Sequence, residues 1–159
     1  MKKTLGTMVA IMLVAILIGT FMTAKNASAG ETAEDGRFIA NDDGTVLDTK
    51  TNLMWAATDN GADINRQGAK SYCENYRGGG YTDWRMPTMN ELEGLRDRSV
   101  KGHNEYYLTT LITLTGCCPW KSETSGTKTA NFGFNVDSRR WGPKSGAASN
   151  RALPVRSGK

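Results

Sequence analysis

Short apolar runs separated by Asp, Asn and Gly clusters open the folded part of the chain. Phe38 and Ile39 are followed by Asn41-Asp42-Asp43-Gly44, then Val46-Leu47, then Asp48-Thr49-Lys50-Thr51-Asn52, then Leu53-Met54-Trp55. Brief apolar runs bounded by turn formers predict strands joined by tight turns. The period then changes. Ala69, Tyr72, Cys73 and Tyr76 recur at i, i+3, i+4 and i+7, the spacing of one helix face. Asp63 is the expected N-cap and Gly78-Gly79-Gly80 the stop. A second helix starts at Thr88-Met89-Asn90-Glu91, a capping box in which Thr88 and Glu91 satisfy each other's free backbone N–H groups. Met89, Leu92 and Leu95 form its buried stripe, and it ends near Arg96. Beyond that the helical period is lost. Residues 107–115 are rich in Thr and Leu and are expected in a strand, as are Trp120 to Glu123. Ala130, Phe132, Phe134 and Val136 alternate as a half-buried strand does. Asp137-Ser138-Arg139-Arg140 reads as a hairpin turn leading into Trp141. Leu153 to Arg156 is the last strand, with Pro154 indicating an edge or irregular position. Strands, two helices and more strands in one chain predict an α+β domain.

The beginning of the chain follows another logic. Lys2 and Lys3 precede an apolar stretch from Leu5 to Met22, and Ala27-Ser28-Ala29 follows before Gly30. That order predicts a secretory signal over residues 1–29, cleaved after Ala29. The stretch is near the lower limit for a membrane span, about 18 residues. Gly19, Thr20, Thr23 and Lys25 interrupt it, so no stable membrane span is expected after cleavage. The product is secreted, periplasmic or displayed at the cell surface. Residues 30–36 are small and acidic without period and are expected to form a flexible lead-in. Residues 37–158 make one domain, the usual size for a single core.

Charge changes the picture only through its distribution. Without residues 1–29 the chain carries 17 basic and 16 acidic residues, a net of +1. From Gly30 to Trp120 there are 9 Lys and Arg against 14 Asp and Glu; from Lys121 onward there are 8 against 2. The C-terminal segment is therefore basic. Arg139, Arg140, Lys144 and Arg151, with Lys121, Lys128 and Arg156 nearby, make it a candidate polyanion site. Arg forks bind sulfate, phosphate or carboxylate bidentately, and Trp141 beside the Arg pair offers a flat face to a sugar ring. The competing reading is a solvated face that balances the acidic N-terminal part. Nucleic acid is not an expected partner.

Three cysteines, Cys73, Cys117 and Cys118, meet an oxidising compartment after export. Adjacent cysteines close a strained ring when they bridge each other, so the expected bond runs from Cys73 to Cys117 or Cys118 and leaves one thiol over. His103 is the sole histidine, too little for a zinc site or a Ser-His-Asp triad. Asn41 to Thr45 lacks the spaced ligands of an EF-hand and reads as a turn. No cofactor or metal is called for, and no enzyme.

The stretch Gly79-Gly80-Tyr81-Thr82-Asp83-Trp84-Arg85-Met86-Pro87-Thr88-Met89-Asn90-Glu91-Leu92 resembles the signature of the Lcl C-terminal domain family, within the C-type-lectin-like superfamily. Asp43 to Asp48 with Thr51 to Trp55, Ala69 to Cys73, Trp120 to Ser122 and Arg151 to Gly158 follow the family in order. The resemblance implies a C-type-lectin-like fold and a non-catalytic binding module, for a sulfated glycan or an extracellular protein partner in adhesion. Many members carry a Cys in the closing strand where this chain has Leu153-Pro154-Val155-Arg156, so no pairing is carried over. The Glu-Pro-Asn or Gln-Pro-Asp and Trp-Asn-Asp motifs of calcium-dependent sugar binders do not occur. Two alternatives stand beside the binding module. One is a structural accessory subunit of an extracellular assembly. The other is a thiol or copper enzyme related to formylglycine-generating enzymes, suggested by Cys117-Cys118. Much of the signature also has a purely structural reading: glycines that turn the chain after a helix, Trp84 in a core, and Pro87 and Thr88 starting a helix.

Overall fold

The computed structural model describes residues 31–125, 128–135, 138–143 and 150–158. Residues 1–29, where a signal segment is expected, and Val136, Asp137 and Lys144 lie outside them.

Five antiparallel strands make the first sheet: β1 (Glu31–Asp35), β2 (Phe38–Asn41), β3 (Thr45–Asp48), β4 (Leu53–Ala56) and the closing strand β9 (Val155–Ser157), in that spatial order. The Asp/Asn/Gly clusters are the turns between them. Asp43 Oδ1 accepts from the Thr45 backbone N–H at 3.1 Å and from its hydroxyl at 2.6 Å, while Gly44 takes φ +79°. The register aligns Ala40, Val46, Trp55 and Val155 across four strands, and the last three are fully buried. Residues 30–36 were expected to form a flexible lead-in, yet Glu31–Asp35 is a strand paired to β2. Its end is fastened because the Asp35 carboxylate accepts from the Thr109 hydroxyl at 2.6 Å and the Thr110 backbone at 3.1 Å.

Helix α1 (Arg66–Asn75) buries Ala69 and Cys73 and half-buries Tyr72 and Tyr76 at its end, the face its period predicts. Its cap is Asn65, which accepts from Gly68 N at 2.8 Å; Asp63 lies two residues too early and pairs with Arg151 instead. Helix α2 (Met89–Leu95) has the full Thr88/Glu91 capping box, buries Met89, Leu92 and Leu95, and stops at Arg96.

The second sheet has the order β7 (Ser138–Pro143), β6 (Lys128–Gly133), β5 (Cys118–Ser125), β8 (Asn150–Arg151), with β8 parallel to β5. Residues 107–115 do not form the expected strand. They cross the core as an irregular segment with one bridge, Thr58 to Thr113, while Leu108, Ile112 and Leu114 are buried. Side chains take over the role of a ladder there: Asp35 receives Thr110, and Asp59 receives the Thr115 N–H at 2.7 Å. Those three residues join Phe38, Val46, Trp55, Leu92, Leu95, Phe132 and Phe134 in one core between the sheets and α2.

A smaller cluster of Ala69, Cys73, Met86, Trp120 and Ala152 holds α1 against β5, helped by Trp120 Nε1 donating to Ile64 O at 2.7 Å. Cys73 is enclosed there as a free thiol, and Cys117 is bonded to Cys118. The expected bridge from Cys73 is thereby corrected. The face of α1 that carries Cys73 meets Trp120 and Met86, and the vicinal pair sits at the junction between the irregular segment and β5. Burial, with a smaller contribution from Glu74, pushes the Cys73 thiol up to about 12. Native protein at pH 8 should therefore resist alkylation, and unfolding without reductant should release one reactive thiol, at Cys73. Peptide mapping that finds Cys73 in a disulfide would contradict this arrangement.

Candidate functional site

The segment that carries the family signature has Asp83, Trp84, Arg85, Thr88 and Glu91 bound to other groups of the protein. Gly79 and Gly80 take φ +63° and +74°, and a Cβ on Gly79 would fall 2.8 Å from the Tyr81 ring and 2.9 Å from the Asp43 carboxylate. This turn lets Trp84 fold back, with its indole N–H donating to Gly78 O at 3.1 Å and its ring edge-on to Tyr76 at 4.9 Å between centroids. Asp83 then receives a fork from Arg156 of the closing strand, Nε at 2.7 Å and Nη2 at 3.1 Å. The Arg156 guanidinium lies 3.8 Å from the centre of the Tyr81 ring, and its side chain is 1% exposed. Next, Arg85 exchanges both backbone bonds with Val155, at 2.9 and 3.0 Å. The Arg85 side chain forks onto Glu91 at 2.6 and 2.8 Å, and Glu91 also accepts from Thr88 N at 2.7 Å. Burial raises the Glu91 carboxyl, but the Arg85 fork and the Thr88 bonds outweigh it and hold the group below its usual range. The structural reading of these residues accounts for what they touch.

The residues of the basic segment fall on different elements of the second sheet and the closing strand. Arg151, on β8, is 11% exposed and committed: Nε donates to Thr115 Oγ1 at 2.7 Å, Nη1 pairs with Asp63, and Asp59 lies 3.7 Å away. Asp59 is fully buried and also accepts from Gly61 N at 2.8 Å and the Thr115 hydroxyl at 2.9 Å. Arg151 thus ties α1's lead-in and the irregular segment to β8, and it leaves the ligand-binding set. Arg139 and Arg140 are not in a hairpin turn; they lie within β7, opposite Phe132 and Asn131, with Trp141 opposite Ala130. β7 and β8 are also the two edges of the sheet, three strand spacings or ~14 Å apart. The side chains of Arg139, Arg140 and Trp141 lie outside the described residues, as does all of Lys144. Lys121 and Arg156 are buried.

A second group of cations went unnoticed in the sequence. Between α1, the signature segment and β5 lies a cleft of about 280 Å3 with a mostly apolar lining. Arg66, Lys70 and Glu74 come from α1, Arg85, Met86 and Thr88 from the signature, and Ser122 from β5. The spacing of Arg66 and Lys70, one helical turn apart, was a readable signal. Their meeting with Arg85 was not, because it depends on how α1 lies against β5.

Two helices packed on short, mostly antiparallel strands, with the last strand closing the first sheet beside β4, define an α+β domain of the C-type-lectin-like kind. The Lcl C-terminal domain family matches residues 44–156, and the chain belongs to that family. No curated protein sequence matches the chain.

The Glu91 site generates a pH test. A carboxyl held below its unfolded value, about 4.3, contributes stability that is present above that pH and is lost as pH falls through the folded value. Glu91→Gln keeps a capping-box side chain but removes the ion pair, and should cost ~1–3 kcal/mol at pH 7. In thermal unfolding the gap between parent and variant should close below about pH 4. A gap that persists unchanged to pH 3 would show that the charge on Glu91 is not what stabilises.

Proposed function

We propose that this chain is an exported, non-catalytic binding module that recognises a sulfated polyanionic glycan through the β6–β7 part of its second sheet. The observation that carries the reading is the charge segregation. The segment from Lys121 holds 8 basic and 2 acidic residues, and of those basic residues Lys121 and Arg156 are buried and Arg151 is engaged with Asp59 and Asp63. Among the rest, Lys128, Arg139 and Arg140 lie on two paired strands and Lys144 follows directly after β7. Concentrated positive charge along one sheet edge attracts a polyanion over a long range and binds its sulfates locally. The signature region supports the same reading indirectly, because its polar groups are spent on one another.

A specific rival explains the same charge. β7 is an edge strand, and charged residues on an edge prevent pairing with other chains. The two readings separate on one pair of substitutions. Arg139→Ala with Arg140→Ala should abolish most binding to heparin, change stability by no more than about 1 kcal/mol and leave the protein monodisperse. Binding by the parent should fall steeply with salt, since exposed charges are screened over ~8 Å at physiological ionic strength. Lys at both positions should recover the attraction only in part, because the charge stays and the fork is lost. Undiminished heparin binding in the double Ala variant, or aggregation without loss of binding, would leave the edge-guarding role alone. It would also direct attention to a protein partner or an accessory role in an assembly.

A further inference from the structure

We infer that the cleft between α1 and the signature segment is a separate binding site for a small organic carboxylate with an apolar body. Three observations meet there. First, the cleft has a mostly apolar lining, with Met86 of the second core cluster contributing to it. Its volume of about 280 Å3 is just under the usual range for ligand pockets, roughly 300–1,000 Å3, and suits one ring-sized group.

Second, Arg66 is a cation without a carboxylate partner among the described residues. Its Nη2 donates to the Ser122 carbonyl, which ties the side chain to β5, while its buried Nε meets no acceptor among the described residues. A buried guanidinium N–H that lacks an acceptor is costly, and a carboxylate would complete it with a charge-assisted bond. Third, Lys70 can be recruited. Among the described residues its one ion pair is with Glu74, at 50% and 49% exposure, in the order Lys before Glu that gives the weaker i, i+4 interaction. By contrast, the Arg85 fork is committed to Glu91, so Arg85 contributes fixed positive charge and its stem rather than a free hand.

The arrangement therefore selects for both halves of a ligand. The carboxylate lies between Arg66 and Lys70, and the apolar body lies against Met86. A bare inorganic anion lacks the second half and a neutral aromatic lacks the first.

Phenylacetate tests this on the mature chain, followed by amide chemical-shift titration. Saturable binding is expected with a Kd on the order of 1 mM, the range open to a ligand of that size, with shifts at Met86, Thr88 and Ser122. 2-Phenylethanol and inorganic sulfate should each bind at least tenfold more weakly. Arg66→Gln, which removes the charge, should weaken phenylacetate at least tenfold. Lys70→Glu should do the same from an exposed position that does not threaten folding, so a poorly folded Arg66 variant would still leave the idea open to refutation. The Arg139→Ala, Arg140→Ala pair should not change phenylacetate binding, which keeps this site distinct from the polyanion surface. Absence of binding by the parent, equal binding of 2-phenylethanol or sulfate, or unchanged affinity in Lys70→Glu would overturn the inference.

Discussion

Arg156 is a cation taken almost wholly out of water, and the fold is arranged around making that tolerable. An isolated buried guanidinium costs several kcal/mol, so it must be paired and hydrogen-bonded. Asp83 supplies the fork, Tyr81 covers the flat face, and Met54 sulfur meets Nη1 at 3.6 Å. Those partners come from the signature turn and from β4, whereas Arg156 itself belongs to the closing strand. One side chain thus joins the two ends of the domain. The glycines before Tyr81 let the turn approach, Trp84 fills the space behind it, and the Arg85 backbone pairs with Val155 beside it. Removing any one of these leaves the others oriented toward a partner that is missing.

The local half of this arrangement could be read from the chain. The Thr88 and Glu91 capping box, the Ala69 and Cys73 face, the apolar stripe of α2 and the turn at Asp43-Gly44 depend on residues within a few positions of one another, and each appears as expected. Two failures are local, the α1 cap at Asn65 rather than Asp63 and the strand at Ser138 to Arg140; the others are long-range. Residues 107–115 have the composition of a strand, but their free N–H groups are met by Asp35 and Asp59, tens of residues earlier, and no periodicity reports that. Acidic Glu31–Asp35 has no apolar period to announce its hairpin with β2, and the contacts of Asp35 with Thr109 and Thr110 are long-range. Arg151 counted as a ligand residue only because its carboxylates, Asp59 and Asp63, lie some 90 positions away. The cysteines were assigned from compartment and spacing, and the packing of Cys73 against Trp120 was invisible to both.

This division also says where function can reside. The segment most recognisable in the family is the one whose polar groups have the fewest left to offer a ligand. Arg85 and Asp83 look like site residues by type, but each faces an internal counter-ion. Groups with capacity to spare lie at its margins, Arg66 and Lys70 on α1. A scaffold that fixes its ends internally can vary such margins without disturbing its core, which is how one fold carries different binding functions.

The central claim is that the signature is a latch rather than a ligand site, and Asp83→Ala addresses it most directly. Asp83 is 58% exposed, which moderates the loss of the pair, so the variant should lose ~2–4 kcal/mol in denaturant unfolding by stranding buried Arg156. At temperatures where it remains folded, it should bind heparin as the parent does. A variant as stable as the parent, or one that keeps its fold and loses its ligand, would contradict the account.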